Sequence, residues 1–165
     1  MATNARAALL AALLASTGCA SVPMMPEADD LAGKAFTQPP ADRAHLYVYR
    51  NERLGSALTF GLDLDGYQVA STGPKTYVLL PVAPGKHVVT SHAENKDQLE
   101  LTLEGGRRYY VWQEVKMGFL QARTRLHQLD EAAGQAGVRE CQRAVVAPPP
   151  GSEAAPPAPP AVPAI

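Results

Sequence analysis

Between His45 and Asp130 apolar and polar residues alternate with a period of two, and turn-forming residues interrupt the alternation every eight to twelve positions. The pattern predicts strands over His45–Arg50, Ala57–Leu64, Tyr67–Ser71, Thr76–Val82, Lys86–Ala93, Gln98–Glu104, Arg107–Lys116 and Leu120–Leu129. Asp65-Gly66 is a two-residue hairpin signal, because both central positions of a type I′ turn need positive φ. Pro84-Gly85, Asn95-Lys96 and Gly105-Gly106 mark further turns, and Gly118 a bend. Pro81 confines its strand to an edge or a bulge. Glu131 to Arg143 contains helix formers but also Gly134 and Gly137, which predicts at most a short helix or turn. The fold class is therefore all-β: a single antiparallel β-sandwich of about seven to eight strands, prealbumin- or immunoglobulin-like.

Composition confines this domain to the middle of the 165-residue chain. Eight of the 15 prolines lie between Pro148 and Pro163, so residues 147–165 read as a disordered Pro/Ala-rich tail that cannot bury enough apolar surface to fold. At the other end Ala7 to Ala15 is an uninterrupted Ala/Leu run preceded by Arg6, too short to span a bilayer but suited to a secretory signal over residues 1–18. Ser16-Thr17-Gly18-Cys19 resembles a bacterial lipobox, in which Cys19 is acylated and becomes the mature N-terminus. Ser16 departs from the leucine most usual at its position. Ala20, where aspartate would retain the protein in the inner membrane, points to an outer-membrane anchor facing the periplasm. Residues 19–43, with Pro23, Pro26, Pro39 and Pro40 and no sustained period, read as a lipidated tether, and 44–146 as the sandwich. With Cys19 a thioether, Cys141 has no partner in its own chain; it reads as a small buried residue, with a bond to another protein as the alternative.

The formal charge of −1 offers no field for nucleic acid, so no nucleic-acid partner is expected. Asp63-Leu64-Asp65-Gly66 resembles the opening of a calcium loop, but Pro74 stands where the bidentate Glu belongs, and the hairpin reading is preferred. His87 and His92, an odd number of residues apart, point to opposite faces of one strand, so no metal and no cofactor are expected. Ser56, Ser71 and Ser91 lack a base that the sequence can identify, and no catalytic residue is assigned. Glu94, Asp97, Glu100 and Glu104 precede Arg107, Arg108, Lys116, Arg123 and Arg125, an arrangement that serves either cross-strand pairing or a basic face for an acidic partner or lipid headgroup.

One candidate binding platform depends on register. If Gly105-Gly106 makes a two-residue turn, Leu99, Leu101 and Leu103 share a face with Tyr110 and Trp112. If Glu104, Gly105 and Gly106 form a three-residue loop with Gly106 at positive φ, the leucines share a face with Val111 and Val115 instead. The second register buries the cheaper set and is preferred; it sends Tyr110 and Trp112 outward beside Glu100 and Thr102, either as an open aromatic platform or as a second core covered by Glu131 to Arg143.

Val48-Tyr49-Arg50, Asp65-Gly66, Pro84-Gly85-Lys86-His87, Gly106-Arg107-Arg108-Tyr109-Tyr110-Val111, Met117-Gly118-Phe119 and the late Cys141 together resemble domain-of-unknown-function family 2846, a group of bacterial lipoproteins. The resemblance covers about residues 44–143 and implies a small β-sandwich on a lipid anchor, with no activity or catalytic residue to carry over. The expectation is a non-enzymatic envelope module that contacts the membrane through acylated Cys19 and binds an unknown envelope protein or cell-wall polymer. The alternatives are an accessory lipoprotein of a secretion or surface assembly, or an envelope enzyme with a site assembled from loops.

Overall fold

A computed structural model describes residues 21–120 and 122–147; the signal segment, Cys19 and the Pro/Ala tail lie outside the described residues. Two sheets face each other. The first takes its strands from β1 (Ala44–Arg50), β4 (Thr76–Val82), β7 (Arg108–Met117), β8 (Ala122–Leu129) and the two-residue β9 (Gln142–Arg143), in the order β8-β7-β1-β4-β9. The second contains β2 (Phe60–Leu64), β3 (Tyr67–Thr72), β5 (Gly85–His92) and β6 (Lys96–Leu103), in the order β3-β2-β5-β6. Leu46, Val48, Leu62, Val78, Val89, Leu101, Leu103, Val111 and Leu126 fill the space between them, as the period-two reading requires.

Hairpins join β2 to β3, β5 to β6 and β7 to β8, and Asp65 (φ +53°) and Gly66 (φ +83°) adopt the left-handed pair of a type I′ turn. The expectation of a wholly antiparallel sandwich needs correction, since β1 pairs β7 in parallel and β4 pairs β9 in parallel. The hairpin assumed at Gly105-Gly106 does not exist either: β6 and β7 belong to different sheets, and this segment crosses between them. Its glycines meet a tertiary demand. A Cβ on Gly105 would lie 1.8 Å from the Ala41 carbonyl oxygen, and Gly106, at φ +75°, donates its N–H to Arg43 O at 2.7 Å and Pro40 O at 3.1 Å. The preferred facing nevertheless holds, with Val111 in the core between the sheets, Val115 buried beside Gly55, and Tyr110 and Trp112 directed outward, because inward and outward residues alternate along β7 whichever strand precedes it.

A second departure concerns residues 19–43, read as a tether. From Val22 onward this segment is part of the fold: Val22 and Phe36 are buried, Met24 bridges Ala144, and Glu27–Lys34 forms helix α1. Tertiary hydrogen bonds hold α1. The Tyr47 hydroxyl donates to Gly33 O at 3.0 Å, the Tyr77 hydroxyl donates to Asp30 O at 3.1 Å, and the Asp30 carboxylate accepts the Arg143 backbone N–H at 2.9 Å. Its acidic first turn and Lys34 in the last turn also suit the helix dipole. A second helix, α2 (Glu131–Arg139), starts at Asp130, whose carboxylate accepts the Ala133 N–H at 2.9 Å.

The interior is polar towards one end. Arg50 is wholly buried, donates to the carbonyls of Leu54, Gly55 and Leu58 at 2.8–2.9 Å and lies 4.5 Å from the Phe60 ring centre, which fixes the loop of residues 51–59. Nearby, buried Gln113 accepts from Thr72 Oγ1 and donates to Ser91 Oγ, each at 2.5 Å, so the amide is satisfied on both sides. At the chain's far end the Ala147 N–H donates to Val69 O at 2.7 Å, the last described hydrogen bond of the C-terminal segment. A chain ending at Ala147 is expected to melt within about 2 °C of the full chain, since the Pro/Ala tail has little apolar surface to bury. A calorimetric drop of several degrees would show that the tail docks.

Candidate interaction surface

Over β1, β4 and the first half of β7 the five-stranded sheet is buried on both faces. Its outer face carries Tyr47 and Tyr49 from β1, Tyr77 and Leu79 from β4 and Tyr110 from β7, joined by Phe36, Val138 and Cys141 from the segments packed over it. The Tyr47 and Tyr110 rings stack at 5.1 Å between centres, and Phe36 meets Tyr47 at 5.6 Å. Tyr110 is therefore not part of an open platform. It lies only 1% exposed beneath α2, in the second core that had been the alternative reading.

Trp112, the next outward residue of β7, is partly buried against this outer core, its indole N–H covered, and it stacks on His127 of β8 at 5.2 Å. Glu100 and Thr102, its expected neighbours, belong to the other sheet. Glu114 instead continues the row, accepting from His127 Nε2 at 2.7 Å and from Lys116 Nζ at 3.3 Å. Partial burial works against its ionisation, but these two hydrogen bonds outweigh it and hold the carboxyl below its ordinary pKa. Arg125 and Arg123, opposite Glu114 and Lys116 on β8, are exposed, and among the described residues neither has a carboxylate within salt-bridge distance. Beyond α2 the outer surface of β7 and β8 is thus a partly buried indole followed by a mainly cationic strip.

The strip ends in an apolar tip. Met117, Phe119 and Leu120 at the β7–β8 turn are 80%, 92% and 85% exposed. The turn is held from below, where the Glu94 carboxylate accepts the N–H groups of Phe119 and Leu120 at 3.3 and 3.1 Å. In the sequence only Gly118 reads as a bend, with Leu120 opening the next strand and Met117-Gly118-Phe119 counted in the family resemblance. The signal was present nonetheless, since three large apolar residues flank Gly118 where a polar turn is usual.

The other candidate residues make contacts within the fold. Asp65 accepts the Val88 N–H at 2.8 Å and contacts His87 Nδ1 at 2.7 Å, while His87 Nε2 contacts Ala83 O at 2.9 Å, so this pair ties the β2–β3 turn to β5. His92 meets Asp63 at 2.6 Å, and no group of three or more potential metal ligands occurs among the described residues. Cys141 is unpaired and buried, and burial pushes its thiol up to about 12, far from the thiolate a nucleophile needs. No helix among the described residues is long and apolar enough to cross a membrane.

Fold and surface define a two-sheet, mainly antiparallel β-protein with one face capped by two short helices, and its strands carry the motifs of a known family. A family profile described as "Protein of unknown function (DUF2846)" matches residues 40–125, and the chain belongs to that family. The match runs from just before β1 into β8, leaving both helices outside it. An uncharacterized protein of Haemophilus influenzae is 27% identical over 142 residues, covering 86% of this chain and 84% of the relative.

Proposed function

We propose that this protein is a lipid-anchored module of a Gram-negative cell envelope, acylated at Cys19 and held at the outer membrane on the periplasmic side. Its role is binding or accessory rather than catalytic, with an envelope protein or cell-wall polymer as partner and the Trp112–His127–Arg125 strip as the contact surface. The observation that carries the reading is the Ala/Leu run ending at Ser16-Thr17-Gly18-Cys19, three residues before Val22, the first described side chain that is buried. Anchor and folded body are thus adjacent. The employment of His87 and Asp65 in holding a hairpin supports a non-catalytic reading.

Labelling with an alkyne palmitate in a Gram-negative host tests it. The full chain is expected to incorporate label and sediment with membranes, with Cys19 as the mature N-terminus by mass spectrometry. Cys19→Ala should abolish the label and release a folded protein, since two or three acyl chains at about 0.8 kcal/mol per methylene supply the membrane affinity. An unmodified Cys19 in the mature chain would overturn the proposal.

A further inference from the structure

The N-terminal segment runs beside β9, at the sheet edge opposite β8, and its first described residue borders the end of the sandwich that carries the apolar tip. Arg50 closes β1 opposite Thr76, the first residue of β4, and β7 runs parallel to β1 past Trp112, opposite Tyr49, to Met117. The loop of residues 51–59, Pro74-Lys75 and the Met117–Leu120 turn therefore share one end. Ser21, the first described residue, lines a cavity of about 500 Å³ at that end with Val22, Met24, Arg53, Lys75 and Glu140. Loop 51–59 links this cavity to the tip: Glu52 Oε1 accepts the Val115 N–H at 3.4 Å, and a Cβ on Gly55 would stand 3.4 Å from Ala122 Cβ.

We infer that this end of the molecule is a membrane-seating surface, with Phe119, Leu120 and Met117 inserted into the leaflet that holds the acylated Cys19. The inference rests on the lipid anchor proposed above. Cys19 precedes Ser21 by two residues, and two residues of chain reach at most about 7 Å, so an acyl group there holds this end against the headgroups. Leu54, 46% exposed on the adjoining loop, adds to the apolar surface. The charges around the tip suit a lipid surface. Arg53 and Arg123 are exposed, and among the described residues neither forms a salt bridge. Most carboxylates at this end are occupied: Glu94 accepts backbone N–H groups, Glu114 is shared by His127 and Lys116, and Glu140 pairs with Lys75 at 2.8 Å, while Glu52 gives one oxygen to the Val115 N–H and buries the other. Unpaired guanidinium groups ringing an apolar tip match phosphate headgroups over an acyl layer. A water-soluble partner would meet the same tip, but the tether brings the bilayer to it at far higher effective concentration.

The test uses the full-length acylated protein in vesicles of phosphatidylethanolamine and phosphatidylglycerol. A polarity-sensitive fluorophore is placed at Phe119→Cys, or at Tyr67→Cys on the opposite end, where Tyr67 is 55% exposed. Cys141 is buried and Cys19 acylated, so each variant offers one reactive thiol. The probe at 119 is expected to brighten several-fold, shift to the blue and be quenched by nitroxide-bearing lipids, while the probe at 67 stays as in water. In the second arm, Phe119→Asp with Leu120→Asp, carrying the probe at Leu54→Cys, should lose the blue shift while the protein still floats with the vesicles. An acylated, floating protein whose position 119 is as hydrated as position 67 would overturn this inference alone. A protein that neither carries label on Cys19 nor floats would overturn the anchor, and this inference with it.

Discussion

Alanine in place of Gly134 is expected to destabilise the protein by about 3 kcal/mol, although in an isolated helix the same change is stabilising by about 1 kcal/mol. The sign is set by α2 lying directly on the tyrosine layer. A Cβ on Gly134 would stand 2.2 Å from both Cβ and Cγ of Tyr110, atoms tied to the backbone of a central strand and unable to move aside. At about 4 °C per kcal/mol for a domain of this size, the melting temperature should fall by about 12 °C. Gly137→Ala has the same origin, its Cβ meeting Tyr49 Cε2 and Cζ at 2.2 and 2.3 Å. Here the obstructing atoms can be removed, so in a Tyr49→Val background Gly137→Ala should become neutral or stabilising. Thermal denaturation of the four-member cycle checks this. A similar loss for Gly137→Ala in both backgrounds would mean that α2 does not rest on the tyrosines.

The second large effect is alkaline. Burial pushes the Tyr47 hydroxyl up to about 12, with a smaller push from neighbouring Tyr110, and pushes Tyr49 to about 12 as well. Tyr77 and Tyr110 are raised too, again chiefly by burial. In the unfolded chain tyrosine ionises near pH 10, so these folded-state values lie above the unfolded one. Each such tyrosine contributes stability that is complete below about pH 10 and is lost as the pH rises towards its folded value. Tyr47 and Tyr49 alone remove roughly 2.7 kcal/mol per pH unit above pH 10, against a total stability of about 5–15 kcal/mol for ordinary domains. The protein should therefore unfold cooperatively before pH 12, with circular dichroism lost in the same step in which the buried phenolates appear in the ultraviolet spectrum. Smooth titration of all six tyrosines near pH 10 with the native dichroism retained would refute this.

Much of the β-structure was legible in the residues because it is local. Alternation in β6, β7 and β8 marks which side chains face the other sheet, and Asp65-Gly66 carries the conformational preference of its own turn. The exposed tip around Gly118 was legible in kind, as apolar residues at a turn, but its exposure depends on how Glu94 holds the backbone.

The residues by themselves determined that the chain alternates, where it turns, that Val111 and Val115 face inward, and that residues 40–125 carry the motifs of their family. Only the tertiary structure decided which strands pair. Gly105-Gly106 reads in the sequence as a hairpin of one register or the other, and the crossover emerges only when the Ala41 and Arg43 carbonyls are set against it. Likewise Gly134 and Gly137 count against a helix on propensity, and the helix forms because their missing side chains let it bury Tyr49 and Tyr110. Burying those rings outweighs the loss of intrinsic helix stability, and that gain belongs to a contact between distant segments, which no local window of the sequence contains.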